Sequence, residues 1–251
     1  MIKVKILTIK VDMRRAFDAI VLMAMFILIS AAQIVQTPQA LPAVNTKAEL
    51  GKVDGLSIEA IVQSPSAQAT PLQIVCLFEY TEGDIFNSPP ALPKELNGMV
   101  HVDEALHGLI TELRKTNKFE GKFLETLLII PPANTISAKK LLLIGLGNRE
   151  SFKPEMMRMI GLTGMREALR LGVQNYSHAS DLKDAGIASP TAEVAGYVVQ
   201  GAIEAYRTQM YLKKQNAADY ITVTKVSLLT GPAYFEDSKE GMKKAIGTMS
   251  K

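Results

Sequence analysis

Apolar residues along the chain recur with two different periods, and the alternation between them predicts most of the secondary structure. Leu56–Val62 and Leu72–Phe78 are short runs rich in Ile, Val and Leu, separated by the turn-forming stretch S-P-S-A-Q-A-T-P, and read as strands. From Asp103 the period lengthens. Leu106, Leu109, Ile110 and Leu113 fall at i, i+3, i+4 and i+7, which predicts an amphipathic helix from an Asp103 cap to about Lys115. Two further strands are expected at 125–130 and 139–144, bounded by Pro131-Pro132 and by G-L-G. Pro154 then opens a helix whose face carries Met157, Ile160, Gly161, Gly164, Ala168 and Leu171. A weaker strand at 173–179 precedes a helix from Thr191 with Ala195, Val198, Val199, Ala202 and Tyr206 on one stripe. A strand at 225–229 and a last helix capped by Ser238, with Met242, Ala245, Ile246 and Met249 in line, complete the pattern. Strands alternating with helices of this length indicate an α/β domain with a mainly parallel or mixed sheet covered on both faces.

The N-terminus follows neither period. Residues 19–29 are eleven apolar positions, preceded by Arg14-Arg15 and followed by Ser30-Ala31-Ala32, the order of a secretory signal peptide. Residues 1–32 are therefore expected to be a signal peptide cleaved after Ala32, and the protein to be exported, periplasmic or extracellular. Extending the run to Val35 gives 17 positions, short of the roughly 20 that span a bilayer, so membrane anchoring by 19–35 is the weaker alternative. Residues 33–49, with Pro38 and Pro42 and no periodicity, read as a flexible linker, and the domain as 50–251.

Export changes the charge argument. The 251 residues hold 28 basic and 25 acidic side chains, but the leader takes five of the former and two of the latter, leaving a formal net charge of zero. Nucleic acid is not an expected partner, because its recognition needs clustered Lys and Arg. One cysteine, Cys76, excludes an internal disulfide and any multi-cysteine metal site, and it reads as a packed thiol. His101, His107 and Glu104 share no face that would collect a metal, and His178 lies near no nucleophile elbow. No catalytic residue, metal or cofactor is assigned.

One turn carries a candidate site. Gly145-Leu-Gly147 follows a strand and precedes a helix, where backbone N–H groups can surround a phosphate, with Asn148 and Arg149 adding polar contacts. The full dinucleotide pattern fails at Glu150, so a plain tight turn stands beside a nucleotide or ADP-ribose-like site at Gly145, Gly147, Asn148 and Arg149.

L-L-L-I-G-L-G-N-R-E at 141–150, K-F-E-G-K-F-L-E-T-L-L-I-I at 118–130 and E-V-A-G-Y-V-V-Q-G-A-I-E-A-Y-R-T at 193–208 together resemble, in order and spacing, the N-terminal domain of the leucyl aminopeptidase (cytosol aminopeptidase) family. The resemblance covers about 50–251. It implies a three-layer α/β/α, macrodomain-like fold. In that family the chemistry sits in a second domain with two metal ions and an N-T-D-A-E-G-R segment, which nothing here matches, so the resemblance implies the fold without the active site. A non-catalytic module acting by protein interaction or self-association is the leading expectation. Its apolar C-terminal stripe, Met242, Ile246 and Met249, either packs on its own sheet or docks a second copy or a partner protein.

Overall fold

The computed structural model describes residues 40–83, 92–180, 182–219 and 223–250. The expected leader at 1–32 and most of the loop expected after Tyr80 lie outside these residues. In chain order the elements are β1 (Lys47–Val53), β2 (Leu56–Val62), β3 (Gln73–Phe78), α1 (Gly98–Ala105), α2 (Leu109–Lys115), β4 (Thr126–Ile129), β5 (Leu141–Gly147), α3 (Met156–Arg170), β6 (Asn175–Ser180), α4 (Thr191–Lys214), β7 (Lys225–Thr230) and α5 (Phe235–Met249).

The strands form one mixed sheet in the order β1-β2-β7-β6-β3-β5-β4. The five central strands run parallel, and β1 and β4 close the two edges antiparallel. Every residue of β3 and β5 is buried, as their uninterrupted apolar runs require of strands covered on both sides. On one face Ile74, Cys76, Leu142 and Ile144 pack against α3, α4 and α5. On the other, Val75, Leu77, Leu141 and Leu143 meet Met99, Val102 and Ile110 of α1 and α2. The fold is thus the α/β arrangement with a mainly parallel sheet that the alternating periods predict.

Three boundaries differ from expectation, each for a local reason. β1 begins at Lys47, so the sheet takes in the end of the stretch read as a linker; Ala48 and Leu50 pack on the core, and a register shift between Glu49 and Gly51 breaks the simple alternation. The helix expected over 103–115 is two helices, because His107 and Gly108 both adopt positive φ. Asp103 still caps, but it caps α2 from inside α1: its Oδ1 accepts the N–H groups of Ile110 and Thr111 at 2.8 and 3.1 Å. The last helix starts at Phe235 after Pro232, and Ser238 lies inside its first turn with its hydroxyl 3.4 Å from that of Thr230.

The C-terminal stripe packs on its own sheet. Met242 is fully buried and Ile246 is 8 % exposed within the core that holds β1 and β2, with Met249 packed against it. The docking alternative for Met242, Ile246 and Met249 is therefore corrected: the same side chains cannot cover the sheet and a partner at once.

Close helix packing fixes this layer. A Cβ at Gly161 would sit 2.1 Å from the Val198 carbonyl oxygen, and one at Gly201 1.8 Å from that of Arg158, so α3 and α4 cross backbone to backbone.

Candidate functional site

The connections around the sheet run on both of its faces. β5 reaches β6 through α3, and β6 reaches β7 through α4, on one face. β3 leaves instead toward α1 and α2 on the opposite face. β3 and β6 are parallel neighbours whose chains depart on opposite sides, and such a reversal opens a crevice at the carboxyl ends of the strands. A cleft of about 440 Å³ lies beside it, at the carboxyl ends of β2, β7 and β6 and between the starts of α1 and α4.

Its floor is apolar, made by Val62 of β2, Leu228 of β7, Leu182, and Val194 and Val198 of α4. Polar groups converge from the loops above. Asn97 caps α1, its Oδ1 accepting from Met99 and Val100 at 3.1 and 3.0 Å, while its Nδ2 donates to the Asp184 carbonyl at 3.2 Å. The Asp184 carboxylate also accepts the Met99 N–H, at 3.0 Å. One carboxylate therefore ties the β6–α4 loop to the start of α1 across the cleft. Burial pushes that carboxyl up to about 6, against the opposing pull of the Met99 and Gly98 N–H groups.

The same loop folds back on itself. Lys183 Nζ donates to the Ser189 carbonyl at 2.6 Å and lies 5.6 Å from the ring centre of Tyr234. Burial lowers the Lys183 pKa, with Asp237 acting in the opposite direction. Ser189, 8 % exposed and lining the cleft, keeps a buried hydroxyl with no hydrogen-bond partner. Directly after it α4 opens with Pro190 at its N-cap and no side-chain cap. At the floor His178 is buried, which pushes its imidazole down to about 4, and its Nε2 lies 3.5 Å from Cys76 Sγ. Cys76 is fully buried, the packed thiol expected of it.

The turn singled out in the sequence lies elsewhere, and its residues have packing roles. A Cβ at Gly145 would sit 1.9 Å from the Lys122 carbonyl oxygen. The N–H groups that would hold a phosphate are already donated, Gly145 to Glu125 O at 2.8 Å and Gly147 to Gly121 O at 2.9 Å. Asn148 accepts from Glu150 N at 2.9 Å. Arg149 reaches the Ala185 carbonyl, which makes it a brace for the loop that walls the cleft. Gly145, Gly147, Asn148 and Arg149 are thus engaged within the chain, and the cleft lies around Asp184 and Ser189. Those two residues sit in a loop without periodicity, and only the folded chain shows that the loop borders a crevice. Among the described residues no three His, Cys, Asp or Glu side chains gather as a metal site, and no helix is long and apolar enough to cross a membrane.

Residues 86–215 match the model of the cytosol aminopeptidase family, N-terminal domain. The chain belongs to this family. A probable cytosol aminopeptidase of Thermosynechococcus vestitus is 34 % identical over 117 residues, 45 % of this chain and 22 % of that protein. Another, from Alkaliphilus metalliredigens, is 40 % identical over 76 residues, 30 % and 15 % of the two chains. The matched part is thus about a fifth of these aminopeptidases, and it corresponds to their N-terminal domain alone. Among solved structures, a tomato leucine aminopeptidase variant superposes with a TM-score of 0.55 at 17 % identity, over 81 % of this chain and 38 % of that one. A macrodomain variant of Oceanobacillus iheyensis gives 0.54 at 14 % identity, covering 84 % and 98 %. The same macrodomain with ADP gives 0.50 at 14 %, covering 81 % and 98 %. At these identities the likeness is one of fold, and it establishes the macrodomain-like architecture.

Proposed function

We propose that this aminopeptidase-family chain is an exported, non-catalytic binding module whose working site is the cleft at the carboxyl ends of β2, β7 and β6. The observation that carries the reading is the cleft itself. It is concave and mostly apolar, lies at the carboxyl ends of parallel strands, and holds a carboxylate with a raised pKa; these features together mark binding sites. Export is supported by Arg14-Arg15, the apolar run 19–29 and Ser30-Ala31-Ala32. The non-catalytic part is supported by the family match, which falls on the N-terminal domain.

A nucleoside diphosphate is the second reading for the same cleft, favoured by Lys183 beside the start of α4 and by the ADP in the macrodomain neighbour. Isothermal titration of the full chain with a set of small metabolites that includes ADP tests the module: saturable binding that Ala233→Trp at the cleft mouth removes is the expected result. Leucine-anilide turnover in the presence of Mn²⁺ or Zn²⁺, lost on substitution of this chain's own carboxylates, would contradict the non-catalytic assignment.

A further inference from the structure

We infer that β4, the edge strand opposite β1, pairs antiparallel with β4 of a second copy of this chain and joins two seven-stranded sheets into one. The two edges of the sheet are built differently. β1 carries Lys47, Glu49 and Lys52, and its register shifts between Glu49 and Gly51, charges and an irregularity that keep another strand from docking. β4 reads T-L-L-I, holds no charge, and keeps a regular register with β5 over all four residues. Leu127, Leu128 and Ile129 are only half-buried, and the flanking Phe123 and Ile130 are 39 % and 65 % exposed. An uncharged, regular edge with apolar flanks is a template for another strand.

Backbone direction decides which groups meet a partner. Gly145 donates to the Glu125 carbonyl, so Leu127 and Ile129 likewise face β5, opposite Leu143 and Leu141, while Thr126, Leu128 and Ile130 turn their N–H and C=O groups outward. Among the described residues no strand but β5 pairs with β4, and no turn or loop bond reaches these three residues. Outward groups must meet outward groups, so two antiparallel copies fit with Leu128 opposite itself, Thr126 opposite Ile130 and Leu127 opposite Ile129, a closed two-fold arrangement. Pro132, next in the outward series, has no N–H and ends the pairing. Charge selects the same direction. At the start of β4 Glu120 and Glu125 outnumber Lys122, and Lys139-Lys140 adjoin its end, so antiparallel copies set the acidic end of one against the basic end of the other.

Sedimentation velocity of the full chain tests the pairing. So short an edge buries less than a standard interface, and a monomer at about 5 µM with a dimer at about 500 µM is the expected result. Thr126→Pro removes an outward N–H at an exposed side chain and leaves the bonds to β5 in place, and Ile130→Lys puts a charge on the seam; each should weaken the dimer at least about tenfold, and the second serves if the first does not fold. Single cysteines read the register. Cys76 is fully buried, so an introduced thiol is the one that reacts. Leu128→Cys, facing its own copy at a Cα separation of about 5.5 Å, should oxidise to a covalent dimer, with Leu127→Cys at least about tenfold slower. A monomer at every concentration, a dimer that Thr126→Pro and Ile130→Lys both leave intact, or equal cross-linking at Leu127 and Leu128 overturns the inference.

Discussion

The turn at Gly145–Arg149 and the cleft at Asp184–Thr191 both lie where a central strand ends and its chain turns toward a helix, yet one is full and the other is open. At Gly145 the space a side chain would occupy holds the backbone of Gly121 and Lys122, and the free N–H groups are bonded to Gly121 and Glu125. At the cleft the ends of β2, β7 and β6 are walled by the β6–α4 loop and the start of α1, and about 440 Å³ between the described residues is unfilled. A glycine-rich turn thus shows close approach of backbone to something, and here that something is the protein itself. Open volume at a strand end, more than glycine content, marks where a ligand can enter.

The largest effect expected from this contrast is at Gly145→Ala. The added methyl has only backbone within reach, 1.9 Å away, and no flexible side chain can yield, so β5 or the 121–124 segment must shift. A loss on the order of 3 kcal/mol or more is expected by denaturant unfolding. At the exposed cleft mouth, the far larger change Ala233→Trp should stay within about 0.5 kcal/mol of the parent. Comparable losses at both positions would erase the distinction between a filled turn and an open cleft.

A smaller effect follows from Asp184. Its carboxyl titrates at about 6 in the folded protein against an ordinary value of 3.8, so the folded state holds the proton more tightly than the unfolded chain. Stability from this group is therefore greatest below about pH 4, falls as the pH rises, and the cost is fully present above about pH 6. Asp184→Asn keeps an oxygen for the Met99 N–H and removes the charge. It should stabilise the protein by on the order of 2 kcal/mol near pH 7.5, with the gain vanishing near pH 4 in thermal melts at the two pH values. A variant destabilised at both would mean that the carboxylate serves as a structural cap and nothing more.

Most of the sheet was legible from periodicity because β3 and β5 are buried on both faces and so carry unbroken apolar runs. β1 was legible only in part: K-A-E-L-G-K-V lacks the β-branched density of its neighbours, and its irregularity at Glu49–Gly51 hides the alternation. The break at His107–Gly108 had a local signal in the glycine, but the apolar spacing on either side continues through it and reads as one helix. Met242 and Ile246 illustrate a different limit. An amphipathic stripe shows that a face is covered without showing by what, and here the cover is the chain's own sheet. The cleft was the least legible part, because Lys183, Asp184 and Ser189 acquire their roles only when α1 and α4, far apart in sequence, meet over the ends of β6 and β7.

The most direct test is to map the small-metabolite set, ADP included, onto the backbone amides of the full chain by ¹H–¹⁵N chemical-shift titration. Shifts are expected to concentrate at Met99, Asp184, Thr191 and Leu228, around the cleft, with Gly145, Gly147 and Asn148 unmoved. Shifts centred on Gly145–Arg149, or no saturable shift at any amide, would contradict it.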